Sequence, residues 1–517
     1  MLVVIPTAGL GSRLDLSTKY LNKSMIQLGD LPVISKIIDS YPLKTKFIIL
    51  IGYKGEHISE YLKLVYKKRN IKIINVNLYV GEGSGLTYTL KKSLKLIKEP
   101  FFFHANDTIF LDTGFYKNIK TNTLFLSKGK SDTMKFATVE INNDYKKVHG
   151  KLNYLRKDFF NYTGVAFISD YRKFKYYLKK DKANNGELSY FKNIDPNKIN
   201  YKFVSQWFDI GSKESKEKAE KYFATKSILP KLDQAIYFKN NKVYKFFTNP
   251  EVLKKRFKRA SILYPNVPKI LTKSKYFYVY KYVKGVIFSK VEKKTENFEK
   301  LLGWLLKKFW IKKKLNQQKK NFFVQRCNSF YYEKSLSRIN YLYEKNNIND
   351  RKEKINNLNT NKISNLFEKI DWTDINNGIP VNFHGDLHFE NILIYKNKIT
   401  LLDWREDYSG ILNFGDIYYD LAKINHGLII DHNMVKNFEF KVKLTKKNIS
   451  LYFKQSKENK ACQKFFYKFL RKNNFSKRKV EIITSLIFLN IAALHHYPYS
   501  IFLYYLGKHN LAKALKS

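Results

Sequence analysis

From residue 1 to about 225, short apolar runs alternate with amphipathic stretches. "LVVIPTA", "KFIILIGY", "IKIINVNLYV" and "PFFFHAND" read as strands. Between them "LPVISKIIDSY", "EHISEYLKLVYKK" and a long "LTYTLKKSLKLI" read as helices. Near-continuous apolar strands separated by helices predict an α/β unit, a doubly wound mixed or parallel sheet covered on both faces. Ligands of such sheets sit beyond the carboxyl ends of the strands. That rule places the glycine turn after the first strand, residues 81–85 and Asp107 along one rim.

Near residue 226 the pattern changes. "TKSILPKLDQ" carries a proline and no clear period, which predicts a linker at 227–232 between a domain at 1–226 and another at 233–517. The β-rich stretches "AIYFKNNKVYKFF" and "KYFYVYKYVKG" flank a basic helix and predict a small lobe over about 233–286. From 287 to 517 the chain reads as mostly helical, interrupted by a strand pair around "VNFHGDLHFENIL" at 381–393. The second domain is therefore expected to be two-lobed and α+β. There is no internal repeat, and the lysine-rich "WIKKKLNQQKKN" reads as a solvated helix face.

Composition narrows the classes. At 517 residues the chain exceeds one ordinary core, and 44% hydrophobic residues suffice to bury more than one. The formal charge of +52 suggests nucleic acid at first sight. However, the lysines are spread along the whole chain among Asn, Ile, Tyr and Phe, with no arginine-rich tail, zinc spacing or RNP-like motif. The expectation is therefore no nucleic-acid partner, with the charge suiting phosphate-bearing small molecules. Two distant cysteines, Cys327 and Cys462, predict a reducing compartment without disulfides. The N-terminal apolar run lacks a charged leader, and "IITSLIFLNIAAL" at 482–494 falls short of the ~20 residues a span needs. A cytoplasmic protein without membrane insertion is expected; its oligomeric state is not legible.

The first candidate chemistry lies in "TAGLGSRL". Ala8, Gly9 and Gly11 let the backbone approach phosphate oxygens, and Arg13 adds a fixed positive fork. Lys23 follows in "NKSMIQLGDLPVI" and is placed to offset charge at an α-phosphate. Asp107 ends a buried strand, and Asp209 stands in "QWFDIGSKESKEKA"; two strand-end carboxylates suit Mg2+. The blander alternatives are surface cations for Arg13 and Lys23 and a helix cap for Asp209. This ordered set resembles the sugar-phosphate and phospho-alcohol nucleotidyltransferases, over about 225 residues. The resemblance extends to Trp207 and Gly211, to "GEGSGLTYTL" with Gly83 and Gly85 beside the nucleotide base, and to "YTGVAFIS" bordering an acceptor pocket. Ser24 replaces the proline usual after the lysine. The resemblance implies a Rossmann-like fold and attack of a phosphomonoester oxygen on the α-phosphorus of an NTP, with release of pyrophosphate.

A second set stands in "HGDLHFEN". Asp386 and Asn391 are five apart, the spacing of kinase catalytic loops, in which the acid takes a hydroxyl proton and the amide holds Mg2+. "KITLLDW" then ends in Asp403, and "GDIYYDLAKI" places Asp416 and Asp420 at one helix start. The series resembles the aminoglycoside phosphotransferase and choline kinase group, which implies a protein-kinase-like fold. By that resemblance Asp386 is the base, Asn391 and Asp403 are metal ligands, and Asp420 and His384 support the loop. Lys245 in "KVYKFF" occupies the place of the ATP-phosphate lysine, though the glycine-rich ATP loop is missing and its acidic partner is unidentified, Glu251 being the one acid in the helix that follows.

A kinase makes a phosphomonoester and a nucleotidyltransferase consumes one. The expectation is a bifunctional Mg2+ enzyme that uses ATP and a second NTP, CTP or UTP, to activate a sugar or polar alcohol for decorating a surface glycan or lipid. One alternative is choline kinase joined to phosphocholine cytidylyltransferase, which aromatic cages would serve but Arg405 beside Asp403 opposes. Another keeps the second domain as a non-catalytic binding module.

Overall fold

The computed structural model describes residues 1–14, 16–128, 131–142, 145–224, 233–445 and 448–516. The linker expected at 227–232 lies outside the described residues. Two compact units emerge, one of Met1–Pro250 with Leu271–Tyr282 and one of Glu251–Ile270 with Val283–Ser517.

In the first unit, Leu2–Thr7 lies at the centre of a nine-stranded mixed sheet. It pairs in parallel with Lys46–Ile51 on one side and Phe101–His104 on the other, and Lys46–Ile51 pairs in parallel with Asn70–Asn75. Beyond Phe101–His104 the direction reverses, because Phe160–Ile168 joins it antiparallel and leads to Thr138–Ile141 and Lys146–His149. Val3, Ile5, Phe47 and Ile49 supply one face of the core; Val4, Ile48, Phe101 and Phe103 supply the other. Alternate residues of a strand point to opposite faces, so both faces of these strands are covered. The helix expected from "LTYTLKKSLKLI" is shorter than its sequence suggests and spans Leu86–Lys91.

The domain boundary requires correction. Strands Gln234–Lys239, Lys242–Phe247 and Phe277–Lys281, expected in the small lobe of a second domain, belong to the first unit. Their aromatic face is the reason. Tyr237, Tyr244, Phe246 and Phe277 share one core with Ile58, Tyr61 and Leu62 of helix Gly55–Val65. The rings of Tyr61 and Tyr237 lie 5.2 Å apart, and the Tyr237 hydroxyl donates to the Met25 carbonyl at 2.6 Å. Glu60 accepts from the Ser274 hydroxyl and the Tyr276 N–H at 2.6 and 2.9 Å. Burying each such ring stabilises by about 2–3 kcal/mol.

The second unit is largely helical. Helices Ile417–Ile429, Lys477–Ala492 and Tyr499–Lys516 pack its centre. Residues 482–494 fall almost entirely inside Lys477–Ala492, a largely buried helix, and no helix among the described residues is long and apolar enough to cross a membrane. The strand pair after the acidic loop is Ile392–Tyr395 with Lys398–Leu401. A four-stranded sheet containing Glu353–Ile355, Leu358–Thr360, Phe440–Leu444 and Ile449–Phe453 interrupts the helices where none was expected.

Two candidate active sites

In the first unit, the turn after Leu2–Thr7 carries Ala8, Gly9 and Gly11. Gly11 has φ +69°, and a Cβ there would lie 2.9 Å from the Thr18 methyl, so a side chain at this position meets both strain and a clash. Arg13 follows on the short Ser12–Leu14 turn with its side chain exposed. Lys23 is placed by its neighbour. The fully buried Asn22 amide donates to the Thr7 and Tyr53 carbonyls at 3.1 and 2.7 Å, and its Oδ1 accepts the Ser24 N–H at 2.8 Å. Ser24 accepts from the Asn106 amide at 3.2 Å, a polar contact that a proline there cannot make. Lys23 Nζ donates to Asp107 Oδ2 at 2.6 Å.

A two-strand ladder brings the acids together. Trp207–Asp209 pairs antiparallel with Thr108–Phe110, Asp209 standing opposite Thr108, and the Ile210 N–H donates to the Asp107 carbonyl at 2.8 Å. Asp209 also organises the next helix, accepting from the Gly211 N–H at 2.9 Å and the Ser215 hydroxyl at 3.0 Å, with Lys135 Nζ at 3.4 Å. Burial alone would raise the Asp107 carboxyl, but Lys23 and then Arg13 outweigh it and hold it below its usual range. The Lys151 ammonium is depressed by desolvation and by Arg13 and Lys23, against the pull of Asp107 and Asp209. Lys135 joins these charges by its ion pair with Asp209, and Lys151 feels them electrostatically; no motif singled out either. Gly83 and Gly85 precede helix Leu86–Lys91, whose Thr87 N–H donates to Asn184 Oδ1 at 2.9 Å.

In the second unit, the acidic loop hangs on helix Ile417–Ile429. Asp420 is fully buried; its carboxylate accepts the N–H groups of His384 and Gly385 at 2.8 and 2.7 Å and the Trp310 indole N–H at 3.1 Å. Desolvation lifts it to about 6. The buried His384 ring is neutral, pushed down to about 3 by burial, so Nε2 donates to the Leu402 carbonyl at 2.8 Å while Nδ1 accepts the Asp386 N–H at 3.2 Å. Gly385 is required: at φ +82° a Cβ would stand 2.6 Å from that of Arg405. Asn391 Nδ2 donates to the Asp386 carbonyl at 2.8 Å, leaving Oδ1 as the amide's available oxygen donor. Lys423 Nζ lies 2.8 Å from Asp386 Oδ1.

Asp403 adopts φ +53°, a left-handed backbone uncommon outside turns and functional sites, and its Oδ1 pairs with Arg256. Arg256 and Arg259 come from helix Pro250–Leu263. Arg259 is buried and donates to the carbonyls of Phe383, Arg405 and Leu412, tying together three segments around the loop. The sequence left the acidic partner of Lys245 unidentified, with Glu251 the one acid in this helix. The helix directs two arginines at the loop, while Glu251 faces Lys254 at 3.7 Å. Lys245 is buried in the first unit with its ammonium 5.5 Å from the Phe247 ring centroid, whereas Asp386, Asn391 and Asp403 belong to the second. Of the acids after Asp403, Glu406 is drawn to Arg256 at 3.4 Å and Asp407 to Lys255 at 2.7 Å. Arg405 and Lys334 both flank the Phe330 ring, at 5.0 and 4.3 Å from its centroid.

No protein-family profile matches the chain, and no curated protein matches it. Similar solved structures include a putative glucose-1-phosphate thymidylyltransferase from Bacillus anthracis, 18% identical with TM-score 0.36 over 45% of this chain and 99% of that one. The CTP:phosphocholine cytidylyltransferase from Streptococcus pneumoniae is 18% identical with TM-score 0.36, over 43% and 98%. HddC from Yersinia pseudotuberculosis is 18% identical with TM-score 0.34, over 43% and 99%. Likenesses this distant name no activity for the chain, whose functional reading rests on its own residues.

Proposed function

We propose that the first unit is a nucleotidyltransferase and the second a small-molecule kinase, so that one chain phosphorylates a hydroxyl compound and then caps the phosphate with a nucleotide. One observation carries this reading: each unit sets a buried lysine against an aspartate beside a second hard oxygen donor. The first pair is Lys23–Asp107 beside Asp209, the second Lys423–Asp386 beside Asn391.

In the kinase step the substrate hydroxyl gives its proton to Asp386 as its oxygen bonds to the γ-phosphorus of ATP, and ADP leaves. Asp420 and His384 hold the loop in place for this transfer. In the second step the new phosphomonoester oxygen attacks the α-phosphorus of the second NTP and pyrophosphate leaves. The Gly9–Gly11 backbone, Arg13, Lys23 and Lys151 oppose the phosphate charge, and no side-chain nucleophile is needed. The donor sets, Asp107 with Asp209 and Asn391 Oδ1 with Asp403, are all hard oxygens and fit Mg2+. Bound there, Mg2+ would supply charge neutralisation at the phosphates. Arg405, which follows Asp403 and Trp404 in the chain, disfavours a quaternary ammonium substrate such as choline, because like charges repel. A sugar or polar alcohol suits the second unit better.

The test is incubation with ATP, Mg2+ and a panel of neutral, anionic and cationic hydroxyl compounds, each with CTP, UTP or GTP. Mass spectrometry should find an activated product from a neutral or anionic compound. Pyrophosphate release from compounds already phosphorylated, with no phosphorylation of free ones, would reduce the second unit to a binding module.

A further inference from the structure

We propose that His388, Glu390 and His432 bind one borderline divalent transition ion of the zinc class, at a site in the second unit distinct from the oxygen donors Asn391 and Asp403. Among the described residues this is the only group of three or more histidine, cysteine or acidic side chains whose ligand atoms all lie within 4.8 Å of one another.

The geometry comes close to what such an ion needs. Glu390 Oε2 lies 3.2 Å from His388 Nδ1 and 3.4 Å from His432 Nδ1. Zinc bonds of about 2.0–2.1 Å in a tetrahedron put neighbouring ligand atoms roughly 3.3–3.4 Å apart, so two of the three edges are already set. Two imidazoles and one carboxylate suit zinc and its neighbours, whereas Mg2+ and Ca2+ favour all-oxygen sets. Three protein ligands also leave one position open for water.

The surroundings supply what such a ligand set requires. A metal-bound imidazole usually directs its other nitrogen at a carboxylate or carbonyl. For His388, with Nδ1 toward Glu390, the nearest carboxylate to Nε2 is Asp386 Oδ2 at 3.6 Å, with the Asn391 amide nitrogen at 3.2 Å. Glu390 sits on the short Phe389–Asn391 turn. His432 is the first residue of helix His432–Lys436, fixed by the Asp431 cap that accepts the Met434 N–H at 2.9 Å. The side chains of His388, Glu390 and His432 are 19%, 22% and 41% exposed, so an ion can reach them from solvent. An ion held there would lock the His388 ring, and through it the position of Asp386.

The intact chain, stripped with chelator and returned to buffer with excess Mg2+, is titrated with Zn2+ against a chromophoric chelator. One equivalent should bind, with binding at least about 10-fold weaker in Glu390→Gln and in His432→Ala. Substituted Co2+ should give intense visible bands that both variants lose, while far-ultraviolet circular dichroism stays unchanged. Failure to retain zinc over Mg2+, or parent-like affinity in both variants, overturns the site. Because the readout is binding without turnover, it is independent of the kinase reading.

Discussion

Glu187 shows how a single buried group shapes the behaviour of the first unit. It is 4% exposed, its Oε2 has no hydrogen-bond partner, and desolvation lifts its carboxyl to about 8. The folded chain therefore holds a proton there that the unfolded chain releases above the ordinary carboxylate range. Stability falls as pH rises from about 4.5 toward 8, by on the order of 1 kcal/mol per pH unit from this group. Glu187→Gln should flatten that slope in urea unfolding followed across pH 5–8; an unchanged slope would show that the carboxyl is not held neutral. In the second unit Lys423→Met should lower phosphoryl transfer by on the order of 10²-fold while the melting temperature moves little, and undiminished kcat would remove Lys423 from the site. Asp386 and Asn391 stand in one short loop and Asp403 follows the strand pair behind it, an order that the sequence already displays. Lys423 is visible only in hindsight, as the residue three after Asp420 on one helix face. Arg256 reaches Asp403 through tertiary packing, which leaves no local spacing to read.

At the scale of elements, aromatic alternation marked the strands at 234–247 and 277–281 correctly but did not say which neighbour would cover them. A strand pattern records that one face is buried, not by what. The helix Gly55–Val65 carries an apolar stripe of Ile58, Tyr61 and Leu62 that needs those strands as its cover. A chain ended at residue 224 should therefore expose this stripe and aggregate or melt well below the intact protein, by differential scanning calorimetry and light scattering. A soluble 1–224 fragment with the intact protein's first transition would restore the boundary expected from the sequence. The sheet formed by Phe440–Leu444 and Ile449–Phe453 was missed, although "FKVKL" and "ISLYF" contain period-two alternation. Frequent lysine and isoleucine at helix-compatible spacing around it masked that signal.

At the scale of the whole molecule, the chain carries +52 of formal charge and a buried lysine–aspartate pair in each of its two units, and under the proposed function those pairs divide the work. The most direct test of this division is complementation between two variants, followed by phosphorus NMR with ATP, Mg2+, the accepted hydroxyl compound and the second NTP. Asp107→Asn should accumulate phosphomonoester without pyrophosphate from the second NTP. Asp386→Asn should do nothing until phosphomonoester is added, then release pyrophosphate at the parent rate. If Asp386→Asn still phosphorylates the free compound, or Asp107→Asn still yields the nucleotide-capped product, the two-site account is contradicted.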